Sequence, residues 1–149
     1  MNMKIAALVA AGAVLFMTLR PNRNVRNNNP LNIRHVASNK WQGAAGDDGE
    51  FVIFESPEYG FRAAYKLLKN YEANYGINTL SEIVERWAPA EDNNHTEAYI
   101  NYLAEKLDKW TFTPVFESEL PQLLFYMAEF EGAKGAFNMA QVEKGISLA

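Results

Sequence analysis

Few of this chain's residues have types and spacings suited to chemistry. The 149 residues include two histidines, His35 and His95, and no cysteine. The histidines stand sixty residues apart, in neither an H-x-x-x-H nor an H-x-H pattern, so they do not make a recognisable zinc site. The absence of cysteine removes thiolate metal ligation, a Cys nucleophile and a disulfide scaffold. No G-x-S-x-G elbow and no Walker or Rossmann glycine pattern is present, so neither a Ser triad nor a nucleotide cofactor is indicated. Carboxylates remain. Glu131 is the most informative, because it follows Leu120, Leu123, Leu124 and Met127 at helical spacing and falls inside their apolar stripe. Glu129 points the other way, with Gln122. A carboxylate on a buried face is desolvated and holds its proton to higher pH, and the negative end of a helix adds to that. Such a group suits a general acid acting on a glycosidic bond. The same periodicity also accommodates a frayed last turn that turns Glu131 out to water, with Gly132 as a plain C-cap.

A second carboxylate could orient water or stabilise charge at a sugar carbon. Asp47, Asp48, Glu50 and Glu55 bracket the run Phe51-Val52-Ile53-Phe54, and Asp48 is the candidate; an ordinary acidic turn at Asp47-Asp48-Gly49 reads equally well. Trp41, Tyr99, Tyr102 and Trp110 have rings that could stack on sugars, or fill a core.

The elements that must position these groups are mainly helical. Ser56-Pro57 opens a helix through Phe61, Ala64, Leu68, Tyr71 and Tyr75 to Gly76. Thr79 and Glu82 form a capping box before Leu80, Ile83, Val84 and Trp87, with Pro89 as the stop. A further helix spans about 96–107. Ser118 is expected to cap the one that carries Glu131, and Asn138 with Gln141 starts the last. The 22–32 segment, rich in Asn and Arg, reads as loop or linker. Ala44 to Gly49 reads as a turn, and 51–54 as a short strand of a small hairpin. The fold class is therefore α+β, mainly helical.

Ile5 to Leu19 is fifteen uncharged residues between Lys4 and Arg20. As a helix it would span roughly 22 Å, short of the ~30 Å hydrocarbon core unless the flanking bases snorkel. A signal peptide is the alternative, but the small-residue cleavage site is poor. The expected organisation is a membrane anchor over 1–22 and one domain over 23–149. Arg20, Arg23, Arg26 and Arg34 crowd the C-terminal side of the apolar run, which the positive-inside rule would keep cytoplasmic. A virion membrane would escape that constraint. Residues 1–23 hold three bases and no acid, leaving eleven bases against eighteen acids beyond. An acidic body argues against a nucleic-acid partner.

Several ordered motifs carry a resemblance over residue 25 to the end. Arg26-Asn27-Asn28-Asn29-Pro30-Leu31-Asn32-Ile33-Arg34 is followed by Trp41-Gln42-Gly43, Phe51-x-x-Phe54 and Ser56-Pro57-Glu58-Tyr59-Gly60-Phe61-Arg62-Ala63. Arg86-Trp87-Ala88-Pro89, Asn94-x-Thr96-x-x-Tyr99-Ile100, Glu131-Gly132 and Gly145-Ile146 continue it. The set resembles a phage and prophage family of murein-degrading proteins that includes the virion lysin of enveloped double-stranded RNA phages, with relatives often labelled structural proteins. Leu31, where the family usually has Gly, and Gly132-Ala133, in place of Asn-Gly, depart from its pattern.

The resemblance implies a lysozyme-like domain acting on bacterial peptidoglycan, with no metal and no cofactor. It implies Glu131 as catalytic acid with Asp48 as its companion, and Asn29, Asn32, Arg34, Trp41, Asn94 and Tyr99 as substrate-binding residues. No carboxylate precedes Asp47, so the usual order of catalytic helix before sheet cannot hold. A permuted order, with the late helix packed beside the 28–34 turn, answers this. The implied chemistry is glycan-strand cleavage by hydrolysis or transglycosylation. Peptide-bridge cleavage and a non-catalytic virion role are the alternatives. The implied location is a virion membrane or bacterial inner membrane, with other virion membrane or capsid proteins as further partners.

Overall fold

The computed structural model describes residues 21–132 and 134–149; the apolar run at 5–19, and with it the expected anchor, lies outside them. Among the described residues no helix is long and apolar enough to cross a membrane.

The segment expected as a loop or linker is instead a packed turn. It opens with a single helical turn, α1 (Arg23–Arg26), and Asn24, Asn27 and Asn29 are buried within it. Burial is tolerable because each amide finds protein donors or acceptors in place of water: backbone for Asn24 and Asn29, and the Asp48 carboxylate at 2.8 Å for Asn27. Asn29 Nδ2 donates to the carbonyls of Ile33 at 3.0 Å and Val52 at 2.9 Å, while its Oδ1 accepts from Ile33 N–H at 2.9 Å. Asn24 Nδ2 donates to Pro30 O at 3.1 Å. Asn28 and Asn32 occupy the left-handed region with φ of 49° and 51°, which Asn adopts more readily than most residues.

This turn is the base on which the hairpin sits. β1 (Ala44–Asp47) pairs antiparallel with β2 (Val52–Phe54), with an irregularity between Ala44 and Gly46. The stretch expected as a turn thus contributes a strand of its own, fully exposed along its length. On β2, Val52 and Phe54 point into the core and Ile53 lies half-buried, the period-2 alternation of a strand packed on one face. Val52 N–H donates to Ile33 O at 3.0 Å and Phe54 N–H to Asn27 O at 2.9 Å, joining the hairpin to the Asn turn.

Helices enclose the rest. α2 (Pro57–Tyr75) begins at Ser56, whose side chain makes no capping bond, and stops where Gly76 turns left-handed at φ 66°. α3 (Leu80–Trp87) carries the expected Thr79–Glu82 capping box. α4 spans Thr96–Leu107 and α6 Met139–Ser147, the latter opened by the Asn138–Gln141 box. α5 (Leu120–Glu131) is not capped by Ser118. A 3-10 turn over Glu117–Glu119 precedes it, closed by Glu119, whose carboxylate accepts Phe116 N–H at 2.7 Å. Its first turn contains Pro121, which needs no capping partner there. α5 packs against α2, α4 and α6, and Leu123, Leu124, Met127 and Ala128 are completely buried. The molecule is mainly helical α+β, with one small two-stranded sheet among the described residues.

Candidate functional site

Glu131 is the last residue of α5, so the stripe that buries Leu124 and Met127 also carries its side chain inward. The residue is half-buried. Asn32 reaches it from the Asn turn, with Nδ2 3.1 Å from a carboxylate oxygen and 3.3 Å from its backbone carbonyl. The Tyr99 hydroxyl, from α4, and the Trp87 indole, from the end of α3, stand near the carboxylate and favour its charged form, while Asn32 makes the direct hydrogen bond. Burial raises the Glu131 pKa above its ordinary value, and the polar groups of Asn32, Tyr99 and Trp87 pull it partly back. The net direction is upward, as a proton-holding acid requires.

Its neighbours are held in turn. Tyr99 is buried, its ring stacked on Phe130 at 4.1 Å between centroids, and its hydroxyl lies 3.4 Å from Met127 O. Burial, and then the Glu131 charge, push the Tyr99 pKa well up, so the phenol stays a neutral donor. The chain leaves α5 at Gly132 with no room for a side chain. A Cβ there would lie 2.0 Å from Asn24 Oδ1, so the Asn turn closes directly on the helix end. Asn24 Nδ2 also approaches Ala128 O at 3.5 Å. The late helix and the Asn turn are therefore adjacent, as a permuted order needs.

The other expected site residues fall elsewhere. Asn29 is fully buried and spends its amide on the turn, so it cannot line a cleft. Asp48 accepts Arg23 at 2.6 and 2.9 Å, Asn27 at 2.8 Å, and the N–H groups of Glu50 at 3.1 Å and Phe51 at 2.8 Å. A carboxylate has about four lone-pair sites, so no acceptor capacity is left to orient a water. Arg23 foremost, with Phe51 N–H and Asn27, holds its pKa well below the carboxylate range. Asp48 is a clamp between α1 and the hairpin. Arg34 is exposed beside it, 3.1 Å from Glu50 and over the Phe51 ring. Trp41 is half-buried next to the hairpin, with an indole N–H that has no partner among the described residues. Asn94 donates to Pro89 O at 2.9 Å and lines a wide groove between α3 and α4, with Glu85, Glu91, His95 and Glu97. That groove does not include Glu131.

The structure thus joins Asn32 and Tyr99 to Glu131, and leaves Asp48, Arg34, Trp41 and Asn94 outside that cluster. The neighbour of Glu131 that sequence reasoning missed is Trp87. Its place in Arg86-Trp87-Ala88-Pro89 was the signal, and its apolar-face position hid it as a core residue.

No protein-family model matches the chain. It is 31% identical over 150 residues to Protein P5 of Pseudoalteromonas phage PM2, an alignment covering 97% of this chain and 93% of that protein. The chain belongs to the P5 family. The alignment takes in nearly the whole chain, so this P5-family membership is not confined to the helical body.

Proposed function

We propose that this P5-family protein is a virion-associated peptidoglycan hydrolase, tethered to a membrane by residues 5–19, with Glu131 as its general acid. The observation that carries the reading is the Glu131 carboxylate itself: at the end of a core helix, desolvated enough to favour its proton, and held by the Asn32 amide with Tyr99 and Trp87 nearby. In the reaction Glu131 gives its proton to the glycosidic oxygen as the bond to the muramic acid C1 breaks. The resulting carboxylate then takes a proton from the oxygen that attacks C1. Asp48 and Glu50 are committed to Arg23 and Arg34, which favours attack by the sugar's own C6 hydroxyl over a water held by a second acid. The product of that route is an anhydro-muropeptide.

A non-catalytic wall-binding role is the second reading, favoured by the wide groove between α3 and α4 that lies away from Glu131. Incubation of the full-length protein with purified murein, followed by mass analysis of the released fragments, separates the two. Anhydro products from the unmodified protein and none from Glu131→Gln support the proposal. Equal release by both would remove Glu131 from the chemistry, and no release by either would leave the binding role.

A further inference from the structure

Three residues beyond Asn32 the chain enters a small groove beside the hairpin, lined by His35, Asn39, Lys40, Trp41, Asp47 and Val52 among others. Its volume of about 250 Å³ has room for one small ring, below the ~300–1,000 Å³ of sites for drug-sized ligands.

The groove is built on a fixed turn. Glu55 N–H donates to Gly43 O at 2.8 Å, and Ala44 N–H to Trp41 O at 3.2 Å. Gly43 sits at φ 75°, and a Cβ there would lie 2.1 Å from the Tyr59 ring, so the Trp41-Gln42-Gly43 turn can be closed against α2 only by glycine. His35 N–H is pinned to Glu50 O at 2.8 Å, and its Nε2 stands 3.7 Å from an Asp47 carboxylate oxygen.

The lining fits a particular chemistry. One indole is accompanied by an amide, a cation, a carboxylate and an imidazole, so donors and acceptors of both signs face one small space. An anion or a cation would meet a like charge there as well as an opposite one. A neutral sugar would not: its hydroxyls donate and accept, and its C–H face lies on an aromatic ring. Position supports the same ligand. Asn32 touches Glu131, and three extended residues reach at most about 10 Å, so one glycan strand can occupy both places.

We propose that this groove is a saccharide subsite, which takes an N-acetylhexosamine unit of the strand whose nearby bond reaches Glu131. The proposal rests on the reading of the glycan strand as substrate. The test titrates full-length Glu131→Gln protein in detergent with a tetramer of N-acetylglucosamine. The readout is the indole N–H resonances of its three tryptophans, each assigned through a Trp→Phe variant. The Trp41 signal moves saturably and Trp110 stays in place. Asp47→Asn and, separately, Asn39→Ala each weaken the affinity about fivefold, the loss of one hydrogen bond. A Trp41 signal that does not move, or affinities unchanged in both variants, would overturn the subsite. Murein release by the unmodified protein that Glu131→Gln abolishes, with Trp41 unmoved, sinks the subsite and keeps the general acid. Saturable movement of Trp41 without any murein release keeps the subsite and sinks the general acid.

Discussion

Glu131 and Asp48 are both acids beside the Asn-rich turn, and the fold treats them in opposite ways. Glu131 ends a core helix, meets neutral donors only, and has its proton held by burial. Asp48 lies in the hairpin turn, meets a guanidinium and two backbone N–H groups, and loses its proton far below the usual range. The same functional group serves as proton store in one place and as structural anion in the other. The difference lies in which partner arrives: an amide, a phenol and an indole soften desolvation without cancelling it, whereas Arg23 overwhelms it.

The widest expected gap between the two is in turnover. Glu131→Gln should lower the rate of murein release by about 10²–10⁴-fold, the usual range for a lost general acid, with far-ultraviolet circular dichroism unchanged. Asp48→Asn should keep the rate per folded molecule close to that of the unmodified protein and lower the melting temperature, because Arg23 loses the carboxylate it grips twice and keeps only Glu50. A comparable drop in turnover from Asp48→Asn, with folding intact, would make the acids a catalytic pair after all.

Next in size is the contact that closes the Glu131 end of α5. Gly132→Ala places a methyl group 2.0 Å from Asn24 Oδ1 and should cost about 1–3 kcal/mol in urea unfolding, the range for overpacking a tight site. Combining it with Asn24→Gly should cost less than the sum of the single changes, since the obstructing amide is gone. Strict additivity would show that the turn does not bear on the helix end.

Stability against pH offers a smaller but opposite pair of signals. The folded Glu131 binds its proton more tightly than the unfolded chain does, so its contribution is complete at low pH and is lost as pH rises above 4.5 toward the folded value. Asp48 works the other way: its contribution is present above 3.8 and is lost as pH falls below that. Thermal melts across pH should show Glu131→Gln flattening the decline on the neutral side and Asp48→Asn flattening the decline on the acid side. Exchange of those two effects would reverse the assignment.

What could be read from the sequence follows from where each constraint originates. Although the same spacing left open a frayed last turn that faces water, the stripe on which Glu131 falls was legible because Leu120, Leu123, Leu124 and Met127 are local and periodic. So were the two capping boxes, at Thr79–Glu82 and Asn138–Gln141, whose partners lie three residues apart. The donors around Glu131 were only partly legible: they come from a loop, the end of α3 and α4, and no short-range pattern records their meeting. The Asn turn misled for a different reason. Hydropathy marks asparagine as exposed, yet Asn29 satisfies its whole amide on the backbone and buries at little cost. Asp48 misled because an acid in a turn carries no mark of the arginine that will claim it, twenty-five residues earlier.

The subtlest expected effect concerns Asn32, which touches Glu131 without sharing its proton. Its amide donates to the carboxylate and so favours the charged form, pulling the pKa down against burial. Asn32→Gly removes that donor, and glycine accepts the φ of 51° that alanine would strain. The Glu131 proton should then be held to higher pH, and the alkaline limb of the murein-release profile should move upward while the acid-side rate changes little. Movement of that limb downward would mean that another group sets it, and no movement would mean that the Asn32 amide does not bear on the Glu131 proton.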